Sequence, residues 1–495
     1  MVSPSKTDLR SLILFLTIFC LADWSINLLS GQDTFPGYTF FSPQPSNAPG
    51  EGAQIYLLGP ADEVVNSWDV EYGSCMNPYL LPDSTVFYLY RVPNPTMNGS
   101  GVGGGLLQLD WDGNILWETS IANDSLQLHH DIEPLPNGHI LVIAWERKNA
   151  AEAYAMGRLE LDNPLLEMWS AVIFELEPVS TDGFNIIWEW HLWDHLIQDV
   201  DPELTGFGLV EEHPELININ YGLAGGIGPM GPVADWIHLN CISYHTELDQ
   251  IMLTSRAFGE IYIIDHSTSS SEAAGHSGGN SGMGGDILYR WGNPQVYERG
   301  SEEDRILSGP HGGVWIDSDF PGGGDLLIFN NGIEWSQSSV LEIVPPVTDN
   351  GTYFIAPGVP FEPAEPQWSF TGAFFSPMMS GAFRLPNGNT VITIAVNRFI
   401  MEVSPDGNIL WQYLFEENGF YIPRAIKYSL DYLTADDVLL GDINGDNQLD
   451  ILDIVEIVII ILESSPWLAC ADVNQDGVVD ILDVILLVDQ ILTGR

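Results

Sequence analysis

Basic side chains are scarce in this sequence. Its 495 residues include 15 Lys and Arg against 68 Asp and Glu, which gives a formal net charge of −53. Proteins that bind nucleic acid neutralise its phosphates with clustered Lys and Arg, so this charge balance excludes nucleic acid as a partner. An acidic, solvated surface suited to a saline medium is the simplest explanation of the charge.

Long apolar runs are missing as well. The apolar run at residues 11–20 follows Lys6 and Arg10 in the pattern of a secretory signal peptide. It is only about half of the roughly 20 residues that a spanning helix needs. We therefore expect residues 1–31 to be a signal peptide, residues 32–54 a leader, and the mature chain to have no membrane span. The protein is expected outside the cell or at the cell surface, with the periplasm as the alternative.

Cysteine is also rare. Three of the four cysteines, Cys75, Cys241 and Cys470, follow the expected signal peptide. They lie in well-separated parts of the chain, so the sequence implies no disulfide framework and leaves one pair open.

One hexapeptide, Asp-Gly-Asn-Ile-Leu-Trp, occurs twice, at residues 112–117 and 406–411. Each copy follows an alternating apolar run, and Asp-Gly supplies residues that tolerate the positive φ of a tight hairpin. The pattern predicts a strand, a turn and a return strand that ends on a large aromatic side chain.

Looser copies of this unit bring the total to six, and further strand pairs lie between them. Repeated four-stranded units of about 40 residues are typical of a β-propeller. The sequence therefore predicts an all-β fold, a six-bladed propeller over residues 55–432. Residues 55–68 and a strand near residues 421–428 would form the sixth blade, so that both chain ends close the ring. An ordinary β-sandwich with chance Asp-Gly turns is the alternative.

Two loops near the C-terminus repeat an oxygen-rich spacing. Carboxylate or amide side chains occupy loop positions 1, 3, 5, 9 and 12, which gather the oxygen ligands that Ca²⁺ prefers. The predicted metal ligands are Asp442, Asn444, Asp446, Asp450 and Asp453 in the first loop, and Asp472, Asn474, Asp476, Asp480 and Asp483 in the second. Asn447 stands where the first loop would usually have Gly.

A carboxylate at position 12, followed at once by an apolar helix, makes residues 433–495 resemble a dockerin domain. The resemblance implies two bound Ca²⁺ ions, two packed α-helices and a cohesin domain as partner. Partner contacts are implied at positions 10 and 11, which are Ile-Leu in both loops (Ile451, Leu452, Ile481 and Leu482). The alternative is a calcium-stabilised cap that binds only its own propeller.

Histidines occur where several predicted blades begin. In propellers the strand that opens a blade lies nearest the axis, so residues at its start can converge on the central channel. The residues in question are His129 or His130, Trp236, His238, Asn240 and His311. Three imidazoles beside Arg256 would form a compact basic pocket inside an acidic protein, and such a pocket selects an anion.

The segments HHDIEPLPNGHIL, DWIHLNCISY, PHGGVW and SGAFRLPNGNTVI resemble the bacterial arylsulfate sulfotransferase family. The resemblance spans most of residues 79–411. It implies a six-bladed propeller that moves a sulfuryl group from an aryl sulfate to a phenol by ping-pong transfer, without a nucleotide cofactor. One departure is the pair Gly312-Gly313, where bulkier residues are expected. Another is the short leader, where that family carries an N-terminal domain.

Carried over by motif, the family's transiently sulfurylated residue is His311. The resemblance gives His238 and Arg256 the role of binding the sulfuryl group and stabilising the leaving phenolate. His130 is favoured over its neighbour as the remaining catalytic ligand. His129, Asn240 and Trp236 are expected to contribute to substrate binding.

Two other functions remain open from the sequence. The three histidines could hold Zn²⁺ or Mn²⁺ for hydrolysis or lyase chemistry, although a guanidinium beside a dication is repulsive. The protein could instead be a non-catalytic propeller that binds a sulfated or aromatic ligand and is displayed through its C-terminal module.

Overall fold

A computed structural model describes residues 34–45, 52–228, 231–348, 350–417 and 420–433, and in the C-terminal module residues 441, 443, 449, 451–463, 471, 473–474 and 478–493. The expected signal peptide and Cys470 lie outside these residues. So do the predicted calcium ligands Asp442, Asn444, Asp446, Asp450, Asp472 and Asp476.

Six antiparallel four-stranded sheets form the blades of a propeller, which confirms the predicted fold. We number them in chain order of their innermost strands. Blade 1 contains Ser74–Leu80, Val86–Arg91, Gly104–Leu109 and Ile115–Ser120; blade 2 contains Leu126–Pro134, Ile140–Asn149, Glu167–Val179 and Gly183–His191; blade 3 contains Leu239–His245, Gln250–Ser255, Glu260–Asp265 and Tyr289–Trp291; blade 4 contains His311–Trp315, Leu326–Asn330, Ser339–Ile343 and Trp368–Phe370; blade 5 contains Gly381–Arg384, Thr390–Ile394, Phe399–Val403 and Ile409–Leu414.

Blade 6 joins the two ends of the ring. Its strand order is Ala425–Ser429, Gly37–Phe41, Ala53–Leu58 and Val64–Val70. Closure by both chain ends was predicted, but Gly37–Phe41 falls in the stretch assigned to a leader. It pairs on both sides and is fully buried. The propeller thus begins before residue 55. The sequence does not indicate this strand, because a central strand flanked by Pro and Ser carries no turn signal of its own.

Short elements complete the described part of the chain. The two-stranded pairs are Gln44–Pro45 with Phe420–Tyr421, Leu196–Ile197 with Ile217–Asn218, and Gly226–Gly228 with Gly231–Val233. The helices are Ala150–Ala155, Ser270–Ala273, Ile451–Glu463 and Ile481–Thr493, and the 3-10 turns are Leu192–Asp194, Val210–Glu212, Pro294–Tyr297, Glu302–Asp304 and Ala395–Asn397. Among the described helices, none has both the length and the apolar character needed to cross a bilayer.

The tryptophan that ends each repeated unit links neighbouring blades. All six lie on the outermost strand of their blade, and the indole N–H of each donates a hydrogen bond to the next blade, at a loop, a turn or the start of a strand. The pairs are Trp68 with Asp110, Trp117 with Gly183, Trp190 with Gly285, Trp291 with Pro363, Trp368 with Pro405 and Trp411 with Asp62. The repeated hexapeptide therefore encodes both a hairpin and a joint between blades.

A buried ion pair ties four inner strands together at the hub. Arg424, just before the closing strand of blade 6, donates to both carboxylate oxygens of Asp131 in blade 2, at 3.1 and 3.2 Å. Its guanidinium also contacts Tyr79 of blade 1 and the Cys241 sulfur of blade 3, the latter at 3.6 Å. Asp131 further accepts from the Tyr79 hydroxyl at 2.8 Å and from the backbone N–H of Ile242 at 3.4 Å.

Replacing Arg424 with Met should strongly destabilise the propeller, because Asp131 would remain as a buried carboxylate without its cation. We expect a loss of about 3–5 kcal/mol in the free energy of unfolding, measured by denaturant unfolding. The pair between Arg305 and Glu334, whose carboxylate side chain is 45% exposed, provides the control, and Glu334→Gln should cost less than about 1 kcal/mol. Equal losses in the two variants would contradict this role for Arg424.

A second polar network clamps blade 2 to blade 3. Glu175 of blade 2 contacts His139 Nδ1 at 2.6 Å and His266 Nε2 at 3.1 Å, while His266 Nδ1 contacts Asp249 at 2.6 Å. Burial alone would lower the pKa of His266, but the two carboxylates raise it to about 9. Burial would likewise raise the pKa of Glu175, but hydrogen bonds from His266 and His139 lower it to about 2.

The His266 network should make stability fall on the alkaline side. The pKa of His266 rises from 6.5 to about 9 on folding, so its contribution is complete below the unfolded pKa and is lost as pH rises through the folded one. His266→Gln should lower the free energy of unfolding by about 2 kcal/mol at slightly acidic pH. It should also flatten the decline of the melting temperature towards alkaline pH. His213→Gln, at an exposed histidine, should keep the wild-type profile, and an unchanged profile in His266→Gln would refute the network.

Candidate active site

Three inner strands bring three histidines to the hub. His130 lies in the first strand of blade 2, His238 just precedes that of blade 3, and His311 begins that of blade 4. His130 and His238 both have left-handed φ values, +57° and +52°. Such backbone strain in a residue other than glycine costs about 1–3 kcal/mol and collects at functional sites.

His238 is oriented by a carboxylate. Its Nδ1 lies 2.5 Å from Oδ2 of Asp235, whose Oδ1 accepts from the Trp145 indole at 2.9 Å. Burial would raise the pKa of Asp235, but the charge and hydrogen bond of His238 lower it below its ordinary value. Asp235 therefore stays ionised, and Nε2 of His238 is left to act on a ligand.

His130 faces His238, and His129 supports it from behind. The ring centroids of His130 and His238 are 4.5 Å apart. His129 stacks on Trp145 at 4.2 Å, and the two adjacent Nδ1 atoms of His129 and His130 are 2.7 Å apart. Burial lowers the pKa of His130 well below its ordinary value, and His238, His129, His311 and Arg256 lower it further. His129 has no exposed surface, so it cannot contact a ligand directly.

His311 is held through one ring nitrogen. Its Nδ1 lies 2.7 Å from Oδ1 of Asn331, and the Asn331 amide donates to the carbonyls of Ser376 and Met379. The amide N–H groups of Asn331 donate to carbonyls, so its Oδ1 faces the ring. This oxygen accepts a hydrogen bond from the protonated Nδ1 of His311. Nε2 then carries the lone pair, and it has no hydrogen-bond partner among the described residues. Burial, and then the charge of Arg256, lower the pKa of His311 to about 3.

Arg256 supplies a positive charge to the site, and the Asp235 carboxylate offsets part of it through space. Its backbone N–H bonds to the His238 carbonyl at 3.0 Å, but within the described ranges no side chain forms a hydrogen bond or ion pair with its guanidinium. Arg256 and His238 line a cleft of about 520 Å³ that also includes Ser100, Tyr221 and Ala257. An unpaired guanidinium at a cleft wall is suited to an anionic ligand.

The other predicted binding residues have supporting positions. Trp236 has no exposed surface, and its indole donates to the Tyr221 carbonyl at 2.9 Å, so it forms the wall of the cleft from within the core. Asn240 is buried, and its Nδ2 donates to the Pro310 carbonyl at 2.9 Å, next to His311. Its Oδ1 has no hydrogen-bond partner in the part of the chain that the structure describes. Both residues shape the site; Trp236 presents no exposed surface to a ligand, and Asn240 is as buried as His311.

Sequence patterns missed the residues that orient the histidines. Asp235 lies three positions before His238, and Asn331 follows the second strand of blade 4, where it reads as a turn residue. The Gly-rich stretch at residues 99–105 is also part of the site. A Cβ at Gly99 would lie 2.7 Å from the Trp145 ring, and one at Gly101 would lie 2.2 Å from Nε2 of His130.

The Gly312-Gly313 pair is explained by close approach of strands rather than by an open site. Gly312 has φ +57°, and a Cβ there would lie 2.9 Å from the Gly381 Cα of blade 5. A Cβ on Gly313 would lie 2.5 Å from the Thr254 hydroxyl of blade 3. The two glycines let blade 4 pack between its neighbours.

Gly101→Ala should displace the His130 imidazole, because the new methyl group cannot share space with Nε2. Any transfer activity should fall at least about tenfold, because a misplaced catalytic group lowers the reaction rate. The far-UV circular dichroism spectrum should stay native. Gly138→Ala is the matched control: it also has a positive φ, but a Cβ there meets nothing within 4 Å. Equal activity in the two variants would show that the activity does not depend on the position of the His130 imidazole.

The C-terminal helices carry the position-12 carboxylates in their first turns. Asp453 and Asp483 are fully buried. Asp453 accepts from the Ile443 N–H at 2.9 Å, and Asp483 accepts from the N–H groups of Asn474 and Asp480 at 3.0 and 2.8 Å. Both carboxylates thus point back at their loops, as a calcium loop requires. The two helices pack through Ile457 and Leu487.

The fold and the hub define a six-bladed propeller with a histidine cluster near an arginine that has no ion-pair partner among the described residues. The chain matches the model of the arylsulfotransferase (ASST) family over residues 88–342, just over half of its length, and the dockerin type I domain over residues 440–492. The chain belongs to the arylsulfotransferase family and carries a dockerin type I domain at its C-terminal end. No curated protein matches it.

Several solved structures are similar at low identity. A Bacteroides caccae protein of unknown function is 12% identical, with 79% of this chain and 98% of that chain covered at a TM-score of 0.41. The periplasmic gluconolactonase PpgL of Pseudomonas aeruginosa is 12% identical, with 78% and 96% covered at 0.39. An inactive virginiamycin B lyase from Staphylococcus aureus is 11% identical, with 79% and 95% covered at 0.35. At these scores the activities of those proteins say nothing about this chain.

Proposed function

We propose that this protein transfers a sulfuryl group from an aryl sulfate to a phenolic acceptor through a sulfo-histidine on His311. The observation that supports this most is the state of His311. Its Nδ1 is held by Asn331, and its ring is neutral near the charge of Arg256. Neither Nε2 of His311 nor the Arg256 guanidinium has a hydrogen-bond partner among the described side chains. Membership of the arylsulfotransferase family supports the reaction class.

His311 has the properties of a nucleophile. With its pKa lowered to about 3, the imidazole keeps its lone pair throughout the physiological range. The Asn331 hydrogen bond fixes the tautomer, so the lone pair is always on Nε2. Covalent attachment at Nε2 leaves the Nδ1–H bond to Asn331 intact, so the ring does not need to turn between the two half-reactions.

Arg256 and His238 bind the sulfate oxygens and transfer the proton. The Arg256 guanidinium can bind two sulfate oxygens and balance the charge of the transferred group. His238 is oriented through its Nδ1 by Asp235, so its Nε2 is placed to deliver a proton to the leaving oxygen as a general acid. His130 packs against His238 and limits its movement.

In the first half-reaction, Nε2 of His311 attacks sulfur as the S–O bond to the aryl group breaks. The leaving phenolate takes a proton from Nε2 of His238. In the second half-reaction, the acceptor phenol returns a proton to His238 while its oxygen attacks sulfur and the N–S bond breaks. Protons and charge balance over the cycle, and neither a nucleotide nor a metal is required.

A chromogenic aryl sulfate tests this proposal in a rapid-mixing experiment. The wild-type protein should release about one equivalent of phenol per site in a burst, and added acceptor phenol should raise the steady rate. His311→Gln should lose the burst and at least about 10³-fold in rate, while His213→Gln should keep both. A burst that survives in His311→Gln would refute the assignment. Retained ligand binding without any turnover in the wild type would favour a non-catalytic binding propeller.

The dockerin domain supports a second part of the proposal, that the enzyme works outside the cell or at its surface in an assembly. Both loops would hold Ca²⁺, and a cohesin domain would be the partner. Ile451 and Leu452 in the first helix and Ile481 and Leu482 in the second are exposed, as a partner-binding surface requires. The expected signal peptide agrees with export.

A further inference from the structure

A cluster of side chains that could bind a metal ion lies in the described part of the chain, apart from the hub histidines. His195, His276 and Asp286 each offer a ligand atom, and these atoms all lie within 4.8 Å of one another. His195 follows the outermost strand of blade 2, while His276 and Asp286 belong to the Ser/Gly-rich insert between the third and fourth strands of blade 3. The His195 ring stacks on the Trp190 ring, with the two centroids 5.6 Å apart.

The hydrogen bonds of His195 leave an electrostatic conflict at its Nδ1. Its Nε2 lies 2.8 Å from the Ala273 carbonyl, which can only accept, so Nε2 carries a proton. Its Nδ1 lies 2.8 Å from Oδ1 of Asp286. In the neutral ring, Nδ1 would point a lone pair at a carboxylate. The ring has no exposed surface, and a cation bound between the two atoms would remove the conflict.

His276 approaches the same oxygen. Its Nδ1 lies 2.8 Å from Oδ1 of Asp286, so two imidazole nitrogens converge on one carboxylate oxygen. The bond from His195 Nε2 to a backbone carbonyl is the contact that metal-binding histidines usually make with their second nitrogen. Gly285 also shapes the site, since a Cβ there would lie 2.7 Å from His195 Nε2.

We propose that His195, His276 and Asp286 form a zinc site that fastens the blade 3 insert to the end of blade 2. Two imidazoles and a carboxylate are borderline ligands that select Zn²⁺ over the hard cations Ca²⁺ and Mg²⁺. Ligand atoms of a tetrahedral zinc site lie about 3.3 Å apart, given metal–ligand distances of about 2.0–2.2 Å. Modest movements of the three side chains reach that spacing. Water completes the coordination, because His276 is largely exposed.

Zinc titration of the full chain tests the site directly. The protein is stripped with a chelator, returned to excess Ca²⁺ to fill the dockerin loops, and titrated with Zn²⁺ against a chromophoric chelator. The wild type should bind about one Zn²⁺ with a higher melting temperature. His276→Ala should weaken this binding at least about tenfold and lose the stabilisation. The exposed position of His276 means that this variant should fold.

His213→Ala is the matched control, because His213 is another exposed histidine with a single carboxylate partner, Glu215, at 2.8 Å. It should bind zinc as the wild type does. Asp286→Asn gives a second variant, in which zinc binding should also weaken. Absence of stoichiometric zinc binding in the wild type, or undiminished binding in both His276→Ala and Asp286→Asn, would overturn the proposal.

Discussion

The hub of this propeller depends on the pairing of Asp131 with Arg424. Asp131 follows His130 directly, and its partner arrives from the other end of the chain with the strand that closes the ring. The inner strands of blades 1, 2, 3 and 6 all contribute to this pair or its hydrogen bonds. The position of the histidine cluster is therefore coupled to ring closure, because the residue beside His130 is fixed by a contact that exists only in the closed ring.

The outer rim and the central hub of the propeller have different structural roles. At the rim, six tryptophan hydrogen bonds join each blade to the next, and they are encoded in the repeated unit itself. At the hub, each inner strand carries side chains of its own, and function can vary there without disturbing the joints. The Arg256 guanidinium forms no hydrogen bond or ion pair with any described side chain in a protein of charge −53, which supports the proposal that the hub binds an anion.

The fold was largely predictable from the sequence, since Asp-Gly turns and terminal tryptophans mark local structure. Gly37–Phe41 was missed because its pairing comes from strands that are distant in the chain. The histidines could be singled out because they recur where blades begin, but Asn331 and Asp235 could not. They act on their histidines through hydrogen bonds whose geometry depends on left-handed turns and neighbouring blades. Arg424 and Asp131 are 293 residues apart in the sequence, so no local pattern reveals their contact.

The central claim is that Nε2 of His311 carries the sulfuryl group between donor and acceptor. The most direct measurement is mass spectrometry of peptides from protein quenched during turnover of an aryl sulfate without acceptor, under conditions that preserve N–S bonds. The account predicts one added SO₃ group on the peptide containing His311, and its loss when a phenol is supplied. An SO₃ group on any other residue, or turnover without a covalent adduct, would contradict it.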